Sequence, residues 1–214
     1  MEVFHTIVFL GIDKEKGMKK ILVLALLLIV MAGGVFALDK TFGGGVLFNY
    51  SKTSGSIDYY YGSYDWNASR TGFGAFAFFG ISKFIEFNLG LLYKNPGTWT
   101  VEGTSISGDE MDLGATAALQ LGIYGKYPFV LSDRLVLFPT VGVDFEYTFD
   151  INDEGWWSDL WFRGGAGVDF FLSDRLFLRG HLIYGVAIPM LGDEDIGYKL
   201  THGFLGKLGI GFMF

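Results

Sequence analysis

Lys207-Leu208-Gly209-Ile210-Gly211-Phe212-Met213-Phe214 closes the chain, and taken in twos it separates into two faces. Phe214, Phe212, Ile210 and Leu208 fall on one, with Phe204 beyond Gly206. Met213, Gly211, Gly209, Lys207 and Leu205 fall on the other. This is the period of a β-strand with one bulky apolar face. In water, such a row at a chain end frays and offers an aggregating edge. In lipid it is stable when its neighbours close into a barrel that satisfies every backbone hydrogen bond.

Composition points the same way. The 214 residues are 50% hydrophobic, yet after residue 37 no apolar run approaches the roughly 20 residues that a helix needs to cross a bilayer. The apolar content is spread in alternation, and 32 glycines with 18% aromatics suit strands packed around a narrow interior. With no cysteine, the chain has no disulfide, thiolate metal site, cysteine nucleophile or lipid-modified N-terminal cysteine. Its net charge of -7 leaves no nucleic-acid footprint.

Met18-Lys19-Lys20, the apolar run Ile21 to Met31 and the small residues around Val35-Phe36-Ala37 have the form of a bacterial secretory signal. Cleavage is expected after Ala37, and Met18 is the better start. The expected organisation is therefore an N-terminal extension plus signal peptide over 1–37 and a barrel domain over 38–214.

From Leu38 onward the chain reads as an all-β, eight-stranded antiparallel up-and-down transmembrane barrel. Strands of 9 to 11 residues are expected to alternate with short turns and long loops. The first strand sets Val46, Phe48 and Tyr50 against Leu47 and Asn49, and a long polar loop is expected over Lys52 to Arg70. The second is ambiguous, because Phe76, Phe78 and Phe79 break alternation. Strand three sets Phe87, Leu89 and Leu91 against Glu86, Asn88 and Gly90, and strand four sets Leu119, Leu121 and Ile123 against Gln120 and Gly122. Leu131-Ser-Asp-Arg-Leu135 recurs as Leu172-Ser-Asp-Arg-Leu176, as expected of short turns repeating on one rim. Pro128 and Pro139 are candidates for rim bulges. Further long loops are expected over 95–112, 150–159 and 189–199.

The bulky face, present on nearly every strand, cannot fit inside eight strands, so it must meet lipid. The other face carries glycine, alanine, threonine and most strand charges. Aromatic girdles are expected from Tyr50, Trp66, Trp99, Tyr147, Trp156, Trp157 and Tyr198 at the long-loop end, and from Phe42, Phe79, Tyr127, Phe129 and Phe214 at the other. The inward charges form an expected lumen network: Glu86, Asp144, Glu146, Arg163, Asp169, Arg179, His181 and Lys207, joined by Lys94 and Lys126. Arg163 is expected opposite residue 145, between Asp144 and Glu146. Asp169 is expected to approach Arg179, and Lys207 to lie near His181. Charges in a narrow lumen must pair. Paired, they make a plug. Alternatively, the inward glycines leave room for a gate or narrow passage, with apolar patches from Leu47, Leu92, Trp161 and Phe177.

The chain end resembles the C-terminal assembly signal of bacterial outer-membrane barrels, matched by Lys207, Gly209, Phe212 and Phe214. With the signal sequence and strand count, the region after residue 37 resembles the small OmpX/OmpA/OmpW type. The resemblance implies residence in outer-membrane lipid, insertion by the barrel-assembly machinery, short periplasmic turns and surface-exposed loops. It also implies, in its OmpW aspect, a route for small hydrophobic molecules.

The sequence points to no enzyme and to no cofactor or metal site. His181 and His202, the basic imidazoles after residue 37, have no serine at motif spacing. The acidic stretches 108–112, 150–154 and 192–195 match no complete EF-hand loop and read as solvated surface. The expected function is structural or a surface interaction through the long loops, with a host or surface ligand as the possible partner.

Overall fold

The computed structural model describes residues 41–59, 62–101, 103–108, 114–151, 156–191, 197–198 and 200–214. The expected signal segment lies outside the described residues. Twelve strands follow in order: β1 (Thr41–Tyr59), β2 (Gly62–Ser82), β3 (Ile85–Lys94), β4 (Thr98–Val101), β5 (Thr104–Ser107), β6 (Thr116–Lys126), β7 (Phe129–Ser132), β8 (Leu135–Asp150), β9 (Trp156–Phe171), β10 (Leu176–Leu191), β11 (Gly197–Tyr198) and β12 (Thr201–Met213). Eight of them, β1, β2, β3, β6, β8, β9, β10 and β12, pair antiparallel in chain order, and β12 returns to β1, closing the barrel.

The closure has a measurable stagger. Following registered partners from Phe42 leads through Phe79, Phe87, Ile123, Val143, Phe162, Val186 and His202 back to β1 at Ser54. The path has climbed from residue 42 to residue 54, a shear of twelve residues. With about 3.3 Å per residue and about 4.8 Å between strands, this shear tilts the strands by roughly 45° and sets a backbone radius of about 9 Å. At that tilt an apolar band of about 25 Å takes about 11 residues. β3 and β6, with 10 and 11 residues, just span it.

β1 and β2, with 19 and 21 residues, rise well beyond that band. This corrects the loop expected over Lys52 to Arg70: β1 and β2 stay paired out to Tyr59 and Gly62. The segment is polar on both faces, which suggests a loop. Its Thr, Ile and Tyr residues nonetheless keep strand propensity, and a ribbon in water needs no apolar face once its ladder is made. The ribbon is widened by β4 against β2, β5 against β4 and β11 against β1. The second expected loop therefore holds a hairpin. The third and fourth are shorter than expected, since β9 starts at Trp156 and β10 runs to Leu191.

Alternation along the wall is strict. Val46, Phe48, Phe73, Ile123, Val141, Leu182, Phe204, Leu208 and Ile210 are exposed on the outside, while Leu47, Asn49, Leu92, Gln120, Ile183 and Leu205 are buried inside. The ambiguity in the second strand resolves by parity with the inward Gly72 and Gly74. Phe78 is buried in the lumen, and Phe76 packs on the inner cluster of Leu47, Leu92 and Ala118. Pro128 lies in the interruption between β6 and β7, and Pro139 lies within β8, where its carbonyl accepts from the Tyr127 N–H. The register shift itself falls between Val130 and Ser132.

Candidate functional site: the closed lumen

The lumen is crossed by layers of side chains. Nearest the short turns, Arg179 makes two bonds to Asp169, from Nε at 2.7 Å and from Nη2 at 2.8 Å, and a third from Nη1 to Glu86 at 3.0 Å. Lys126 pairs with the other oxygen of Glu86. Asp169 stands directly opposite Arg179 on the β9–β10 ladder, so this forked pair is set by register. The guanidinium also lies 4.1 Å from the Phe78 ring centroid and 5.4 Å from that of Phe177, and Lys126 lies 5.3 Å from Phe138. Aromatic faces thus complete the shell around these cations.

The space at some inward glycines is filled by neighbouring rings, while Gly90 and Gly209 border a cavity. A Cβ at Gly43 would lie 2.6 Å from the Phe78 ring, and one at Gly211 would lie 2.6 Å from Phe177. At these positions the missing side chain is what lets the neighbouring ring lie flat against the wall. At these two positions glycine and phenylalanine form one packing solution.

Nearer the long loops, Arg163 pairs with Asp144 and, at 3.3 Å, with Glu146. Lys94 pairs with Glu146, and the Tyr124 hydroxyl donates to Asp144. Gln120 donates to Glu146 at 2.5 Å while its Oε1 accepts from Lys207 at 2.8 Å. Arg163 is in register with Gly142, not with residue 145. The tilt of the strands carries its long side chain diagonally to Asp144 and Glu146. At the mouth, Arg70 donates to the Pro96 carbonyl at 3.3 Å and to Thr116 Oγ1 at 3.2 Å, with Trp99 packed on it at 5.6 Å. Trp66 and Trp99, expected in the outer girdle, instead pack on each other with centroids 5.4 Å apart. They lie on the face that carries the buried Ala68.

Between the two ion-pair layers sits a cavity of about 50 Å³, bordered among others by Gln120, Tyr124, Phe138, His181, Ile183 and Lys207. His181 stands opposite Lys207 on the β10–β12 ladder. Its Nε2 is shielded from solvent without a hydrogen-bond partner among the described residues.

The candidate residues therefore divide as follows. Glu86, Asp169 and Arg179 meet in one layer with Lys126. Asp144, Glu146 and Arg163 meet in the other with Lys94. His181 and Lys207 lie between them. Of the chain-end residues, Gly209 shares the inward face with Lys207, and Phe212 and Phe214 point outward with ring centroids 5.7 Å apart. The imidazoles His181 and His202 are not brought together: His202 is exposed on the outer face against Tyr184 at 3.1 Å. The acidic stretches near 110, 153 and 194 lie largely outside the described residues. Sequence reasoning missed the roles of Tyr124, Phe78, Phe138 and Arg70. Parity with Gln120 and Gly122 places Tyr124 inside, but the expected fourth strand was read only as far as Ile123.

No protein-family model matches the chain, and no curated protein does. Solved structures resemble it in fold. Neisserial surface protein A shares 11% identity over 80% of this chain and 97% of its own, with a TM-score of 0.41. The outer membrane protein OprG from Pseudomonas aeruginosa shares 14% over 82% and 95%, with a TM-score of 0.47. The outer membrane protein AlkL, solved in lipid bilayers, shares 14% over 85% and 93%, with a TM-score of 0.45. The barrel assignment stands on the ladder registers themselves. Its exterior carries exposed aliphatic side chains with aromatic contacts at both ends, such as Tyr184–Phe204 at 4.9 Å and Phe42–Phe214 at 5.2 Å. A closed barrel with an apolar exterior and a charged interior belongs in lipid, and its location is the bacterial outer membrane.

Proposed function

We propose that this chain is a non-conducting outer-membrane barrel that acts structurally or through its surface, with adhesion or another interaction carried by the β1–β2 ribbon and the neighbouring loops. The observation that supports it is the pair of buried ion-pair layers across the lumen. Each carboxylate of the two layers faces a guanidinium or ammonium group. Opening a path through either layer separates buried charges, and removing one partner of such a pair costs about 3–5 kcal/mol. The test is planar-bilayer recording of the refolded protein. No discrete openings are expected from the wild type, and openings abolished by Arg163→Ala or Glu146→Ala would sink the reading.

A narrow passage for small hydrophobic molecules is the second reading, favoured by Leu47, Phe76, Phe138 and Ile183 on the cavity wall. Uptake of a small apolar solute into liposomes holding the protein, lost on enlarging Leu47 to Trp, would establish it. The proposal assigns the chain no reaction. It includes removal of a signal peptide after Ala37, for which N-terminal sequencing of the exported protein is expected to begin at Leu38. It also includes recognition of Lys207, Gly209, Phe212 and Phe214 by the barrel-assembly machinery, for which deletion of Phe214 is expected to slow insertion.

A further inference from the structure

Lys207 is the lumen cation that the two layers leave over. Glu86 is shared by Lys126 and Arg179, Asp169 is taken by Arg179, Asp144 by Arg163, and Glu146 by Lys94 and Arg163. Lys207 meets no carboxylate within ion-pair distance among the described residues, and its ammonium donates to the neutral Gln120. Gln120 is held in that orientation, because its amide nitrogen is committed to Glu146.

The residues flanking Lys207 on both ladders are neutral or basic. On β1 its registered partner is Asn49, fully buried, with neither side-chain nitrogen nor oxygen bonded among the described residues. On β10 its partner is His181, with Nε2 unpartnered. The chain carries an amide at position 49, so this ladder offers Lys207 no carboxylate. Lys207 and His181 both border the cavity of about 50 Å³, well above the roughly 10–15 Å³ of such space that a single water molecule needs. An uncompensated charge in a shielded interior is strongly disfavoured. Asp159, a further carboxylate on the inward parity of β9, stands in register with Glu146 and not with Lys207, and a bound anion is one way to balance the lysine.

We propose that this chamber is a halide site, chloride being the natural occupant, with the Lys207 ammonium as its counter-charge and His181, in its Nε2–H tautomer, as a second donor. Glu86 and Asp144 also border the cavity, but both already face cations. An ion-pair layer lies on either side of the chamber. Binding in the folded barrel and not in the unfolded chain then makes stability depend on the anion.

The experiment compares thermal midpoints of the refolded protein in detergent, read by heat-modifiable gel mobility, in sodium chloride and in sodium gluconate of equal ionic strength. Gluconate is too large for the chamber. The wild type is expected to melt several degrees higher in chloride, and Lys207→Gln and Asn49→Asp are expected to melt equally in both salts. Should Lys207→Gln fail to fold, Asn49→Asp decides, because it supplies the missing carboxylate without change of size. Equal wild-type midpoints, or chloride dependence persisting in Asn49→Asp, would overturn the proposal. Crystals grown in bromide are expected to show an anomalous peak between Lys207 and His181, and a chamber without one also overturns it.

Discussion

Arg163 concentrates the energetics of the upper layer in one side chain, since it serves both Asp144 and Glu146. Arg163→Ala is expected to destabilise the barrel by about 3–5 kcal/mol, because two buried carboxylates lose their shared partner. The urea midpoint of the refolded variant measures it. The glycines make an equally sharp contrast. Gly211→Ala places a methyl group 2.6 Å from Phe177 and is expected to cost about 1–3 kcal/mol through overpacking. Gly206→Ala, whose nearest neighbour lies 3.8 Å away, is expected to be close to neutral in the same assay. Within the expected strands parity assigns each charge to a face, because the strand period is two, whereas Arg70 and Asp159 fell in expected loops and were given no face. Which charges pair was not readable from parity, because the partner of Arg163 depends on strand tilt and side-chain reach across the barrel. Tyr124 was given no face by the sequence, yet its position two residues from Gly122 puts it in the lumen, where its hydroxyl donates to Asp144.

At the scale of elements, the ribbon formed by β1 and β2 sets this barrel apart from a minimal one. Its polar upper half, extended sideways by β4, β5 and β11, stands clear of a band that β3 and β6 barely span. Surface exposure of this ribbon is expected to show as maleimide labelling of Asp65→Cys on intact cells. Asp174→Cys, in the short turn before β10, is expected to label only after the outer membrane is broken. The reverse pattern would invert the assigned orientation. Trypsin is expected to cut poorly at Arg70, because its backbone is paired with Ser51 and its side chain is tied to Pro96 and Thr116. The ribbon was not legible in the sequence. Polarity on both faces marks a segment as solvated without saying whether its backbone is bonded to a neighbour.

For the whole molecule, the shear of twelve and the layered lumen combine into one mechanical unit. A larger shear widens the barrel at fixed strand number, and Phe78, Phe138, Phe177 and the ion pairs occupy much of that width. Heat-modifiable gel mobility is expected to show a compact folded form, lost on boiling, and replacing both Phe78 and Phe177 by Ala is expected to lower the temperature of that transition. The sequence by itself determined the strand count, the face that meets lipid and the membrane of residence. These follow from period-two alternation and from the demand that backbone polar groups in lipid be bonded, both local or general rules. Only the tertiary structure decided the shear, the ribbon and the pairing of charges. Each depends on how strands far apart in the chain are staggered when the sheet closes. That stagger also set Lys207, expected near His181, beside the cavity with no carboxylate within ion-pair distance among the described residues.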